Sequence, residues 1–338
     1  MEDCSPETRR HRRAAAIPAV AVAALALGAP LSAEAGVHRK PPSWCKPRGA
    51  LAARAMPSRI RLADCDLRGR TVRGANGLAA VVPKDGTSVT AHALRTDGSA
   101  ELRVRVDRRA KTITITTRGA REPQGRPRQF RAPLDPCRDG AYRLEPSKWT
   151  KGTTVEWRYH PGTGGQPGTS VSTGVSSVVN AGTDCTADHR FSPAPAITAR
   201  YAGETGTEPN VDGQAGCGQR DRANIFGWIP LPDAEPEVLA ATCIWFNGPT
   251  TVETDMALQT QGKKWWAGKA SGGTCPAGSY DASAVATHEA GHVFGLSHIE
   301  GSQHAKLTMA PSVAACDDGP ATLGKGDYDG LIALYGGR

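Results

Sequence analysis

Apolar and polar residues alternate with period two at Leu102, Val104 and Val106, and again along the Thr-Ile-Thr-Ile-Thr run at 112–116. Both patterns predict strands with one face on a core. Gly74, Gly77, Gly86 and Gly98 punctuate this region at turn-like positions. Alternation returns at 154–159, and further strands are expected at 197–201, 223–229, 241–246 and 251–258. Val171, Val175, Val178 and Val179 recur at helical spacing and predict a helix over 169–181. Its β-branched residues weaken helix propensity, so packing must hold it. Near the end, Leu331, Leu334 and Tyr335 share one face of a final helix within 323–336. The chain therefore reads as α+β, with a mostly-β first part.

Composition divides this pattern. At 338 residues the chain has room for two cores. Residues 1–35 read as a signal peptide: Arg9, Arg10, Arg12 and Arg13, a small apolar run over 14–31, then Ala33-Glu34-Ala35. Pro18, Gly28 and Pro30 break that run, which argues against a membrane anchor. Export to a secreted, extracellular location is expected, with no stable membrane insertion after cleavage. Of nine cysteines, Cys4 leaves with the signal and eight remain, as in a disulfide framework in an oxidising compartment. Cys45 and Cys65 lie together early, and the other six follow from Cys137 onward, so bridges kept within domains put a boundary before Cys137. A Pro- and Arg-rich stretch at 122–136 marks the same place and reads as extended and cleavable. Residues 36–132 carry 22 Lys and Arg against 7 Asp and Glu, a net of +15, whereas 133–338 carry 15 against 22, a net of −7. Two domains are expected, 36–132 and 133–338. The basic first domain shows no site. It is open to three readings: a solvated basic surface, an inhibitory pro-region docked on the acidic second domain, or a module binding an anionic cell-wall or matrix polymer. No specific nucleic-acid partner is expected.

The chemistry lies at 288–298, His-Glu-Ala-Gly-His-Val-Phe-Gly-Leu-Ser-His. His288 and His292 are four apart and share one helix face, the spacing at which two imidazoles bind one tetrahedral zinc. Glu289 is placed to act as general base on a metal-held water. Gly295 fits a helix end, because glycine takes the left-handed backbone freely. The reversed chain can then bring His298 as a third ligand and leave a fourth position open.

The HExxHxxGxxH pattern resembles the metzincin metalloproteases, and its surroundings resemble the matrixin branch in a bacterial secreted form. The resemblance covers roughly 140–338. It implies a twisted mixed β-sheet with helices, a zinc cleft and a small C-terminal subdomain. Met309, in Leu307-Thr308-Met309-Ala310-Pro311, resembles the family's Met-turn, a soft floor beneath the ligands. Residues 251–258, with Glu253 and Asp255, resemble an E-x-D strand placed at the sheet edge, where an extended peptide pairs with the cleft. Both carboxylates are assigned a structural role. Asp281 or Ser283 is expected to cap the motif helix and Asp327 to start the last one, while Asp329 is the carboxylate the resemblance suggests for supporting the site. A cysteine switch through Cys45 is disfavoured: the family's Pro-Arg-Cys-Gly order is missing, and Cys65 offers a disulfide. Calcium is considered at Glu204, Glu208 and Asp212, where a solvated acidic loop is the better reading. His304 is read as a surface residue. The function implied is a secreted zinc endopeptidase acting on protein or peptide, with Glu289 as base. Two alternatives stand beside it: a non-hydrolytic zinc-containing wall- or matrix-binding protein, and a zinc amidase acting on peptidoglycan cross-links.

Overall fold

The computed structural model describes residues 40–46, 48–119, 131–268 and 273–338. The expected signal peptide and residues 122–130 of the Pro- and Arg-rich stretch lie outside the described residues. The first part forms β1 (Leu51–Ala52), β2 (Arg59–Arg61), β3 (Thr71–Arg73), β4 (Ala79–Val81), β5 (Ser88–Arg95), β6 (Ser99–Asp107) and β7 (Thr112–Arg118). It is followed by β8 (Thr154–His160), α1 (Gly168–Val179), β9 (Thr198–Glu204), β10 (Ile225–Ile229), β11 (Val238–Asn247) and β12 (Thr250–Gln259). Then come β13 (Lys264–Trp266), β14 (Ser279–Asp281), α2 (Ala282–Val293) and α3 (Lys325–Tyr335).

Nine strands join in one mixed sheet, ordered β2-β7-β6-β5-β11-β12-β10-β8-β9. Strands β8, β9, β10 and β12 pair in parallel, while β11 runs antiparallel to β12. This mixed sheet with few helices is what the resemblance implies for the second part. One expectation is overturned: residues 251–258 are not an edge. They form β12, an interior strand between β10 and β11. Every residue from Glu253 to Gln259 is buried, the polar ones included, as in a strand covered on both faces.

The two expected domains, 36–132 and 133–338, share this sheet. The sheet does not stop near residue 132; β5 pairs antiparallel with β11, from Ser88 opposite Phe246 to Arg95 opposite Val238. Residues 40–338 form one compact unit. An open β11 edge would present unpaired N–H and C=O groups, and β5 satisfies them. Charge follows the same join, for Arg95 lies 2.7 Å from Glu235 and Arg103 lies 3.0 Å from Glu145. Part of the basic excess in 36–132 is therefore neutralised against acidic residues of 133–338.

The sheet separates two cores. On one face, α1, α2 and α3 cover Trp157, Phe226, Trp228, Met256 and Leu258. On the other, Val72, Ala80 and Val82 of the first part pack with Ala241, Cys243 and Trp245 of β11. Four disulfides join Cys45 to Cys65, Cys137 to Cys185, Cys217 to Cys243 and Cys275 to Cys316. None crosses residue 132, and Cys45, held in a disulfide, is not available as a thiolate ligand. No helix among the described residues is long and apolar enough to cross a membrane.

The helix expected over 169–181 is α1, buried through Val171, Val175, Val178 and Val179. At Gly174 it passes so close to α2 that a Cβ would sit 2.5 Å from the Ala286 carbonyl carbon and 2.6 Å from the Thr287 nitrogen. Both contacts are main chain and have no flexible end to yield. Gly174→Ala is expected to lower unfolding stability by about 1–3 kcal/mol, the usual cost of overpacking. Denaturant titration of the two chains measures it, and an unchanged midpoint would show that the helices separate at little cost.

Candidate metal centre

Helix α2 starts where Asp281 accepts hydrogen bonds from the Ser283 and Ala284 N–H groups, at 2.7 and 3.0 Å. This settles the cap between the two expected candidates. Every residue of α2 is buried, so its polar side chains need partners inside the protein. His288 and His292 project from one face. The chain reverses at Gly295, whose φ of +93° suits glycine. Leu296 N–H then bonds the Gly291 carbonyl at 2.8 Å, and His298 returns over the helix. Its Nε2 lies 3.0 Å from His288 Nε2 and 3.1 Å from His292 Nε2.

Main-chain carbonyls orient two of these rings. His288 Nδ1–H donates to the Thr308 carbonyl at 2.7 Å, and His292 Nδ1–H donates to the Leu296 carbonyl at 2.9 Å. With the proton on Nδ1, each neutral ring points a lone pair from Nε2 toward His298. Burial lowers the pKa of His288 to about 4 and holds His292 and His298 well below the ordinary value. All three rings are therefore neutral near pH 7. A proton on His298 can bridge at most one of the two close contacts, leaving the other as lone pair against lone pair. A cation held by the three nitrogens removes that repulsion, and imidazole nitrogens with carbonyl-bound Nδ1–H groups suit zinc. The donor set fits the metal.

Beneath the rings, Gly291 leaves room for the Met309 sulfur; a side chain there would run into it. Asp327 holds this turn in place. Its carboxylate accepts from Thr308 N–H, Met309 N–H and Gly324 N–H at 2.9–3.1 Å. Asp329 instead pairs with Lys325 at 2.5 Å, so the supporting role expected of Asp329 belongs to Asp327. His304 is not a surface residue either: it is half-buried, with Nδ1 2.7 Å from Asp139 Oδ2.

Glu289 is fully buried. Oε2 accepts from the Thr242 hydroxyl of β11 at 2.5 Å, and Oε1 has no partner among the described residues. Burial raises its pKa to about 7.

One residue of the site was not expected. His92, from β5, is fully buried and stacks on His292 with ring centroids 4.0 Å apart. His92, His292 and His298 offer ligand atoms within 4.8 Å of one another. Behind it, His92 Nε2 is 3.2 Å from Glu145 Oε1. Burial opposes charge on His92, but the Glu145 carboxylate outweighs it and raises the pKa. Along β5, Val89, Ala91 and Ala93 look like a core face, and Thr90 and His92 like its solvent face. Only the α2 side of the sheet makes the second face buried.

Elsewhere, Glu253 accepts from Asp221 N–H and Arg222 N–H at 2.9 and 2.7 Å, and Asp255 from Ile225 N–H at 2.8 Å. Both anchor the approach to β10, and with Asp221 they bring three carboxylates within 4.8 Å of one another. Glu204, Glu208 and Asp212 form no metal-binding group among the described residues, and Asp212 closes a turn through Gln214 N–H and Gly216 N–H. Nothing in that loop supports calcium.

Glu289 makes the metal-free protein sensitive to pH. Its folded pKa of about 7 lies above the ordinary 4.5, so the fold binds the proton more tightly than the unfolded chain. The resulting stabilisation is complete below pH 4.5 and is lost as pH rises through 7. Between pH 4 and pH 8 the chelator-treated chain should lose about 3 kcal/mol from this group. Glu289→Gln should lack that component, as urea titrations of both chains at the two pH values would reveal.

The family model described as matrixin matches residues 230–336. No curated protein matches the chain significantly. The matched stretch takes in β11, β12, α2 with His288 and His292, then His298, the Met309 turn and α3. Residues 230–336 of this chain are accordingly similar to the matrixins, a metzincin family of zinc metalloproteases.

Proposed function

We propose that the chain is a secreted zinc-dependent endopeptidase in which His288, His292 and His298 hold the metal and Glu289 is the general base. The observation that carries this reading is the meeting of three neutral imidazole nitrogens beside a buried carboxylate with one free oxygen. Zinc, when bound, supplies Lewis-acid polarisation of a peptide carbonyl and of water near neutral pH. Glu289 Oε1 takes a proton from the attacking water as its oxygen adds to the carbonyl carbon. The same carboxyl gives that proton to the leaving nitrogen as the C–N bond breaks. Thr242 fixes the other carboxylate oxygen, so Oε1 keeps one direction through both transfers. A pKa near 7 suits a group that must accept and return a proton at neutral pH.

Substrate grip would come from β11, the strand beside the centre, on the side that β5 pairs with in this fold. Main-chain hydrogen bonds to such a strand hold an extended peptide with little regard to its sequence. Four disulfides support an oxidising, extracellular setting.

The test is cleavage of a denatured protein, with and without a zinc chelator, before and after limited digestion of the chain with trypsin. Chelator-sensitive cleavage is expected. Glu289→Gln should retain about one zinc per chain and lose cleavage by roughly 10²- to 10⁴-fold. A zinc-loaded chain that leaves the denatured protein uncut in both forms would refute the peptidase reading.

A further inference from the structure

We infer that the folded chain is a closed form of this centre: His92 is a fourth imidazole ligand, and β5 fills the peptide-binding edge of β11. The inference rests on the zinc reading above and concerns what occupies the position that reading leaves open.

Three independent observations converge on it. First, β5 runs antiparallel along the outer edge of β11, where an extended peptide would pair. His92 stands opposite Thr242, the residue whose hydroxyl holds Glu289. The strand thus presents a side chain to the metal position at the register of the general base. Second, His92 is fully buried, its Nδ1 has no hydrogen-bond partner among the described residues, and it shares a ligand group with His292 and His298. An imidazole nitrogen buried without a partner is costly unless something absent from the protein binds it. Third, Glu145 lies 3.2 Å behind His92 Nε2 and is itself held by Arg103 at 3.0 Å. A carboxylate on the far nitrogen of a histidine is the arrangement that orients and strengthens a metal-ligating ring.

Three protein ligands leave tetrahedral zinc open to substrate, whereas four close it. His92 completes four. The competing strand is tethered, so it acts at an effective concentration on the order of millimolar, against which a free peptide must compete. Both faces of β5 are buried, which deepens the closed state. Cys45 plays no part, being paired with Cys65.

X-ray absorption of the zinc-loaded full chain counts the ligands without depending on turnover. Four imidazole nitrogens and no water oxygen are expected. His92→Ala should give three imidazoles with added water oxygen, and a zinc Kd raised roughly 10- to 100-fold. Should His92→Ala fail to fold, the parent count still decides, and Glu145→Gln should weaken zinc binding roughly tenfold. Three imidazoles plus water in the parent chain would overturn the inference and leave His92 and Glu145 as a buried ion pair, with the zinc reading intact. A chain that takes up no stoichiometric zinc would instead remove the zinc reading itself.

Discussion

Three neutral imidazoles, buried together with their lone pairs turned inward at about 3 Å, set the terms for the rest of the structure. Such an arrangement is unfavourable without a cation, so the fold must enforce it. Enforcement comes from main-chain carbonyls in two loops, Thr308 for His288 and Leu296 for His292. The loops in turn depend on Gly295, which reverses the chain, and on Asp327, which gathers three N–H groups around the Met309 turn. The last helix contributes that carboxylate from its first turn, which explains why the end of the chain belongs to the site. Close packing of α1 on α2 at Gly174 fixes the helix from its opposite side.

The second organising constraint is the edge of β11. Its backbone groups need partners, and β5 supplies them along most of the strand. Burial of Ala241, Cys243 and Trp245 under the first part of the chain makes the same join hydrophobic. Arg95 and Arg103 make it electrostatic as well. The pairing that completes the sheet also delivers His92 to the metal position. Stability of the whole unit and closure of the centre therefore share one set of contacts, and opening the groove means exposing part of a core.

Local chemistry was legible from residue order. The four-residue spacing of His288 and His292, the glycine three positions later and His298 beyond it describe one helix and one turn, whose geometry needs no distant partner. The alternating runs at 112–116 and 154–159 announced strands for the same reason, as period two is a property of the strand alone. Strand neighbours were another matter. Residues 251–258 read equally well as an edge or as an interior strand, since their polar positions Glu253 and Asp255 are satisfied by the backbone at 221–225. Composition suggested a division near residue 132, where the backbone hydrogen bonds show a continuous sheet.

By itself, the sequence determined that His288, His292 and His298 meet, that Glu289 lies beside them and that Gly295 turns the chain between, because helix geometry converts short spacings directly into distances. Tertiary structure alone decided that His92 and Glu145 join the centre, that Asp327 rather than Asp329 supports the Met309 turn, and that β12 lies inside the sheet. The first of these depends on which of many compatible strands pair, and in which register, between segments some 150 residues apart. A one-residue shift in β5 would turn His92 to the opposite face. Period-two alternation carries no information about that choice; the packing of two cores on the two faces of one sheet makes it.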